Sequence, residues 1–488
     1  MTRKKAYLPF LSFCFLLLLI FSVGCKSNKT NNDDDIEIVS PTKEFIVDQY
    51  IQDGMMLQKN STNYFSGTAE PNVKIIVDIK NTKDQIVSTE SCVTDNDGNW
   101  NVSISAPDNN KQVYIVSIYD SYRQYIKEYK DIVFGNIIVI LGENMFFNTN
   151  KTDYDIKKYD NVRICSKDGI WCKNSDNNYI NNLTLFIDEL VKNSNDTMLG
   201  IIDLSFKSTQ IGAFLKKEII ENNSDLETYN KAVYELLLDD DMQNVTYENS
   251  EIYSKYLTKF KNVKCHSLIT YQGMTDYISG IDFNKNSGLY AKSLSILLND
   301  LKNNFCYKEL LVIESPSIKY NENTVKIDDI ALLRLAQSTA AYYNDGIIVP
   351  TYEFGNDYES EKEINEFTAK LVRTLVGKLF LNRNTPSYAN LILTQDEIII
   401  EISNCIQLNE VEYINNFKIV KVNGDDITSN YRYYITDNRI VIYKVDELAE
   451  FNNISILYNF QADISEGNLY NEENEMVNPF IIVLESDK

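Results

Sequence analysis

Among 488 residues the chain carries a single histidine, His266. That count decides much of the chemistry open to it. Hydrolysis through a serine nucleophile needs a hydroxyl, a base to take its proton, and donors for the developing oxyanion. His266 opens an apolar run, residues 267–270, and precedes the loop Tyr271-Gln272-Gly273. It therefore stands at the wrong end of a strand to act at that loop, and a serine–histidine pair is excluded. Ser205, Ser208 and Ser360 remain as hydroxyls near expected strand ends. Each would need a carboxylate or a lysine as its base, and a carboxylate is about two units too acidic unless burial raises it. Carboxylates do stand at such ends: Glu143 in the turn Gly142-Glu143-Asn144-Met145, and Asp357 and Glu359 further along.

The elements that must position these residues follow from the hydrophobic pattern. Residues 137–141 form an unbroken β-branched and aliphatic run, as in a strand buried on both faces of a parallel sheet. Gly142 then allows a turn that other residues avoid. In open α/β folds chemistry sits just past the carboxyl ends of such strands. From residue 135 to about 380, strand runs (162–164, 198–204, 267–270, 310–313) alternate with helical patterns (182–191, 225–260, 290–301, 361–379). That alternation implies a parallel sheet covered by helices. Residues 45–133 are strand-like, with a hairpin signal at Asp97-Gly98, and 386–488 are β-rich again at 397–402, 417–422, 439–443 and 454–458. The expected organisation is a signal peptide (1–24), a polar tether (25–44), an amino-terminal β-sandwich (45–134), an α/β domain (135–385) and a carboxyl-terminal β-domain (386–488).

Several blocks resemble the sialate O-acetylesterase family of the SGNH hydrolase superfamily. Gly135 and Gly142 have the spacing of its nucleophile strand, and Asn144-Met145 close its Gly-Gln-Ser-Asn-Met turn, one residue short and without the serine. Tyr271-Gln272-Gly273 match its Trp-Tyr-Gln-Gly-Glu-Ser-Asn block, with Thr275 for Ser and Asp276 for Asn. Thr209 matches the end of a Gly-Gly-Thr turn that helps form the oxyanion hole, with Lys207 and Ser208 in place of the glycines. Arg334 and Gln337 match an Arg-x-x-Gln helix. Asp357 and Glu359 fall on the Asp and His of Asp-Ile-His-Pro. Asp53–Gln58, Gly67–Pro71 and Thr94–Trp100 match the leading β-domain, and Tyr458, Asn468–Asn471 and Pro479-Phe480 match the closing one. The resemblance implies a flavodoxin-like, three-layer SGNH-hydrolase-like domain flanked by amino- and carboxyl-terminal β-domains. It also implies a pocket at Gly142, Thr209, Tyr271, Gln272 and Gly273. In that register Glu143, Asp357 and Glu359 converge on one cleft, where they sit exposed, share protons or bind a hard cation such as Ca²⁺. Solvated acids are the plainer reading, with no cofactor.

Compartment is read from the amino terminus. Arg3, Lys4 and Lys5 precede an apolar run to Phe21, and Ser22-Val23-Gly24-Cys25 resembles a bacterial lipoprotein box with Cys25 as the lipid-bearing residue. A plain signal peptide or membrane helix is the alternative. Loss of residues 1–24 removes three of the 47 basic and none of the 70 acidic residues, taking the net charge from −23 to −26. Such a surface disfavours nucleic acid. Besides Cys14 and Cys25 there are six cysteines, of which Cys165 and Cys172 are the locally plausible bridge. The expectation is a catalytically impaired surface lipoprotein that binds acetylated sialic acid or another glycan and meets the membrane through its anchor. A still-active carbohydrate or sialate O-acetylesterase and a purely structural envelope protein are the alternatives.

Overall fold

The computed structural model describes residues 43–484 apart from 49–50, 108–111, 124, 144–158, 174–182, 195–197, 240–246, 261, 316–328, 352–370, 380–385, 412, 415–416, 422–424, 446–448, 459–468, 473–475 and 478–479. Eight strands open it: β1 (Ile46–Val47), β2 (Met56–Gln58), β3 (Thr62–Thr68), β4 (Lys74–Asn81), β5 (Ile86–Val93), β6 (Asn99–Ser105), β7 (Tyr114–Asp120) and β8 (Ile126–Glu143). Strands β1, β3 and β6 form one antiparallel sheet, and β6 alternates strictly, burying Trp100, Val102 and Ile104. Such period-2 burial is the signature of a sheet with one wet face. Strands β5, β4, β7 and β8 form a second antiparallel ladder.

Strand β8 ties this region to the rest. Residues 126–132 pair antiparallel with β7, residues 133–135 pair parallel with β2, and from 136 the strand runs parallel between two further neighbours. Its burial follows the pairing, exposed at first and continuously buried from Ile132 to Glu143. It thus runs without a break across residues 134 and 135, the expected boundary.

The central sheet adds β9 (Val162–Cys165), β10 (Trp171–Lys173), β11 (Leu199–Phe206), β12 (Cys265–Tyr271), β13 (Tyr307–Ile313) and β14 (Ile347–Val349), in the spatial order β10-β9-β11-β8-β12-β13-β14. All are parallel except β10, which folds back on β9. Without the β9–β10 hairpin, the order is 2-1-3-4-5, that of a doubly wound flavodoxin-like sheet, with its switch point between β8 and β12. Helices α1 (Thr184–Asn193), α2 (Lys217–Glu221), α3 (Ser224–Asp239), α4 (Glu251–Lys255), α5 (Met274–Ile278), α6 (Phe283–Phe305) and α7 (Asp329–Tyr343) accompany it, and residues 371–379 are helical too. Sheet and helices share one core. The expected helix at 290–301 is longer, because Asp282 caps it by accepting from the Asn284 N–H and its buried face continues to Phe305. The region expected as one helical crossing, 225–260, instead contains separate helices α3 and α4. Ser250, left-handed at φ 65°, stands before α4 and prevents a continuous turn.

Beyond it, β15 (Ser387–Leu393), β16 (Glu397–Ser403), β18 (Tyr431–Thr436) and β19 (Arg439–Lys444) form one antiparallel sheet. Strands β17 (Phe417–Lys421), β20 (Ile454–Tyr458) and β21 (Phe480–Leu484) form another, and the two enclose a separate core. The expected Cys165–Cys172 bridge is absent. Cys165 faces Trp171 across the hairpin and Cys172 faces Ile164, so the two side chains project from opposite faces of the ladder. Among the described residues no helix is long and apolar enough to cross a membrane.

Candidate functional site at the sheet's carboxyl edge

Gly142, the last residue but one of strand β8, has φ +116° and lies against strand β12. A Cβ there would stand 2.0 Å from the Tyr271 carbonyl oxygen, so only glycine fits. This close approach aims the next side chain, Glu143, at the turn that follows β12. Glu143 Oε1 accepts from the backbone N–H of Gly273 at 2.9 Å and of Thr275 at 3.1 Å. Its Oε2 accepts from the same Thr275 N–H at 3.0 Å and from the Thr275 hydroxyl at 2.5 Å. The carboxyl is buried. Burial pushes its pKa up to about 7, against the pull of the Thr275 hydroxyl and the N–H groups of Thr275, Gly273 and Met274.

The receiving turn is fixed from behind. Gly273 has φ +114°, and a Cβ on it would meet the Tyr290 hydroxyl at 2.3 Å. Tyr290 donates to the Gln272 carbonyl at 2.7 Å, and Gln337 Nε2 donates to the same oxygen at 2.7 Å. Gln337 Oε1 in turn accepts from the Ser315 N–H at 2.9 Å, and Arg334 Nε donates to the Ser315 carbonyl at 2.8 Å. The Arg334-x-x-Gln337 pattern of α7 thus braces the ends of β12 and β13.

A second buried carboxylate works the other side. Asp276 accepts from the Ile211 N–H at 2.9 Å, from the Tyr229 hydroxyl at 3.0 Å and from Gln272 Nε2 at 3.4 Å. Burial pushes its carboxyl up to about 7; the Ile211 N–H opposes the shift and the neighbouring Glu143 adds to it. Gln272 Nε2 also donates to the Thr209 carbonyl at 2.9 Å, and Ser208 holds φ +49° where the resemblance has glycine. Gly142, Thr209, Tyr271, Gln272 and Gly273, expected to line a pocket, lie side by side at this edge. What joins them is internal: Glu143 and Asp276 staple the loops after β8, β11 and β12 to one another.

Glu143, expected in an acidic cleft with Asp357 and Glu359, is therefore buried rather than exposed. Both of its oxygens accept from protein donors. Among the described residues no group of three His, Cys, Asp or Glu could hold a metal. Asn144, Asp357, Glu359 and Ser360 lie outside the described residues, as does Cys25.

His266 is the second residue of β12, at the amino edge of the sheet, and Tyr271 is the last. At a rise of about 3.3 Å per residue, the imidazole is on the order of 16 Å from the turn. It is half-buried, its pKa lowered to about 4 by burial and by Lys308 and Lys59. The Ser205 hydroxyl donates to Asp203 Oδ1 at 2.6 Å, and the Ser205 N–H reaches the same oxygen at 3.0 Å, a local i, i+2 arrangement. A cavity of about 20 Å³ near Met56, Tyr64, Ile137 and Trp171 lies toward the amino edge and has room for one water.

Sequence reading did not assign a role to Thr275 or Asp276. The signal was present: both fall in the Tyr271–Asp276 block, at positions where the resemblance has Ser and Asn. Glu314, at the end of β13, was not singled out either. It is buried, accepts from the Ser338 hydroxyl at 2.6 Å, and is pushed up to about 7 by burial.

No protein-family model matches the sequence, and no curated protein sequence matches it. Solved structures do. The crystal structure of a carbohydrate acetylesterase from Xanthomonas citri superposes with a TM-score of 0.66 at 15% identity, covering 91% of this chain and 99% of that one. An acetylxylan esterase from Geobacillus stearothermophilus matches over 50% of this chain and 94% of that one at 9% identity, with a TM-score of only 0.30. The first likeness is one of fold: this chain shares its overall fold with that carbohydrate acetylesterase.

Proposed function

We propose that this chain is a sialate O-acetylesterase-like member of the SGNH hydrolase superfamily that has lost ester cleavage and binds a glycan at the cell envelope. One observation carries the reading: the residue after Gly142 is a buried carboxylate that occupies the N–H groups of Gly273 and Thr275. Acyl transfer needs a nucleophile at that turn and free donors for an oxyanion. Here the side chain offers no hydroxyl. The nearby donors, including the Ile211 N–H, are engaged by Glu143 and Asp276. The only imidazole lies at the other edge. The ligand in this reading is an acetylated sialic acid or a related glycan, and the net charge of −23 disfavours nucleic acid as a partner. Cys25 carries the lipid anchor, periplasmic or surface-facing, and β-domains at 45–134 and 386–488 flank the α/β domain.

The test pairs a glycan array with an esterase assay on the same preparation. Retention of one glycan class without hydrolysis of its acetyl esters is the expected result. A blank array at high protein concentration would favour a purely structural envelope protein. A second reading, a still-active carbohydrate O-acetylesterase, has one observation in its favour: the Ser205 hydroxyl already donates to a carboxylate, Asp203, near the end of β11. Turnover abolished by Ser205→Ala would establish it.

A further inference from the structure

Two cysteines meet where helix α6 hands over to strand β13. The helix ends at Phe305, Cys306 caps it, and β13 begins at Tyr307. Cys265 opens β12 and lies across the parallel ladder from Tyr307. Cys306 is bonded to Tyr307 and, as a left-handed cap outside β13, does not follow the strand's alternation of faces. With strands about 4.8 Å apart its Cα lies on the order of 6 Å from that of Cys265, within the roughly 4.4–6.8 Å that a disulfide spans. The Cys265 Sγ already points that way, standing 3.2 Å from the carbonyl oxygen of Phe305, the residue bonded to Cys306. Burial pushes the Cys265 thiol up, and the neighbouring Cys306 adds to the shift. Both thiols are free in this structure.

Cys306 also holds a left-handed backbone, φ 37°, at a helix end where glycine or asparagine is usual. A side chain kept in a backbone conformation that costs it free energy points to a use for that side chain. Cys165 and Cys172, on opposite faces of their hairpin, offer no competing bridge.

We propose that Cys265 and Cys306 are a disulfide-forming pair, closed by thiol–disulfide exchange with a disulfide oxidant. Cys306, the more exposed of the two, attacks first. Its thiolate forms a mixed disulfide and expels one thiolate of the oxidant. The Cys265 thiolate then attacks the Cys306 sulfur, forms the intramolecular S–S bond and expels the other. The protein gives up two protons and two electrons, and the oxidant's disulfide becomes two thiols. The bridge ties the start of β12, the strand that carries the Tyr271 turn, to the end of α6. Its natural closure rests on the reading of the chain as exported; the pairing itself does not.

The experiment takes the full chain, reduced, incubates it with oxidised glutathione, blocks remaining thiols and maps peptides without reduction. A Cys265–Cys306 cross-linked peptide is expected, with Cys92, Cys165, Cys172 and Cys405 blocked singly. The oxidised protein should melt about 5 °C higher than the reduced one, and Cys306→Ser or Cys265→Ala should abolish the increment. Cys265 and Cys306 recovered as separately blocked or glutathione-capped residues would overturn the proposal, as would an equal increment in either variant. A cross-link formed in the tube but missing from protein taken directly from cells would sustain the pair and count against export.

Discussion

Glu143 and Asp276 are acids that burial makes reluctant to ionise. Their ordinary values are 4.5 and 3.8, and both are raised to about 7 in the fold. Between those limits the native chain holds protons that the unfolded chain has released. The stability they contribute is therefore full below about pH 4 and is lost as pH rises through about 7. Urea midpoints should fall from about pH 5 to about pH 8. Asp276→Asn should flatten that dependence without unfolding the protein, because an amide can accept from the Ile211 N–H and donate to Tyr229. An unchanged slope would count against the buried pair. Removing Glu143 is different in kind. Glu143→Gln keeps an oxygen for Gly273 and Thr275 and should be mild. Glu143→Leu leaves two buried N–H groups without acceptors and should cost about 2–4 kcal/mol in urea unfolding.

The turns matter as much as the carboxylates they hold. Gly273→Ala forces a Cβ into the Tyr290 hydroxyl at φ +114°, and should cost about 1–3 kcal/mol from backbone strain before any repacking. Tyr290→Phe removes one of two donors to the Gln272 carbonyl while Gln337 keeps the other, and should cost only about 1 kcal/mol. Equal losses in the two variants would mean that the turn is not the strained element. These elements differ in how readily they can be read from residues alone. The buried strands 137–141 and 310–313 are legible because parallel strands covered on both faces are apolar at every position. The turns at Gly142 and Gly273 are legible because one residue type tolerates their backbone. The partners of Glu143 are not, since Gly273 and Thr275 are 130 and 132 residues away and nothing local marks them. The faces of Cys165 and Cys172 depend on a register that spacing does not supply.

At the scale of the whole molecule, one strand, β8, enters from an antiparallel ladder and leaves as the central strand of the parallel sheet that ends at Glu143. The likeness to a carbohydrate acetylesterase over 91% of the chain is one of fold, and fold does not fix chemistry. The amino-terminal reading makes its own prediction: Cys25→Ser should move the protein from the membrane fraction to the soluble one, and unchanged sedimentation would remove the lipid anchor. The central claim is that carboxylates now brace the edge where ester chemistry would occur. Its most direct test is hydrolysis of p-nitrophenyl acetate and an O-acetylated sialic acid by the purified chain, from about pH 5 to about pH 9. The expected rates equal those of buffer, for the natural sequence and for Glu143→Gln alike. Saturable turnover that disappears in Glu143→Gln would contradict the account.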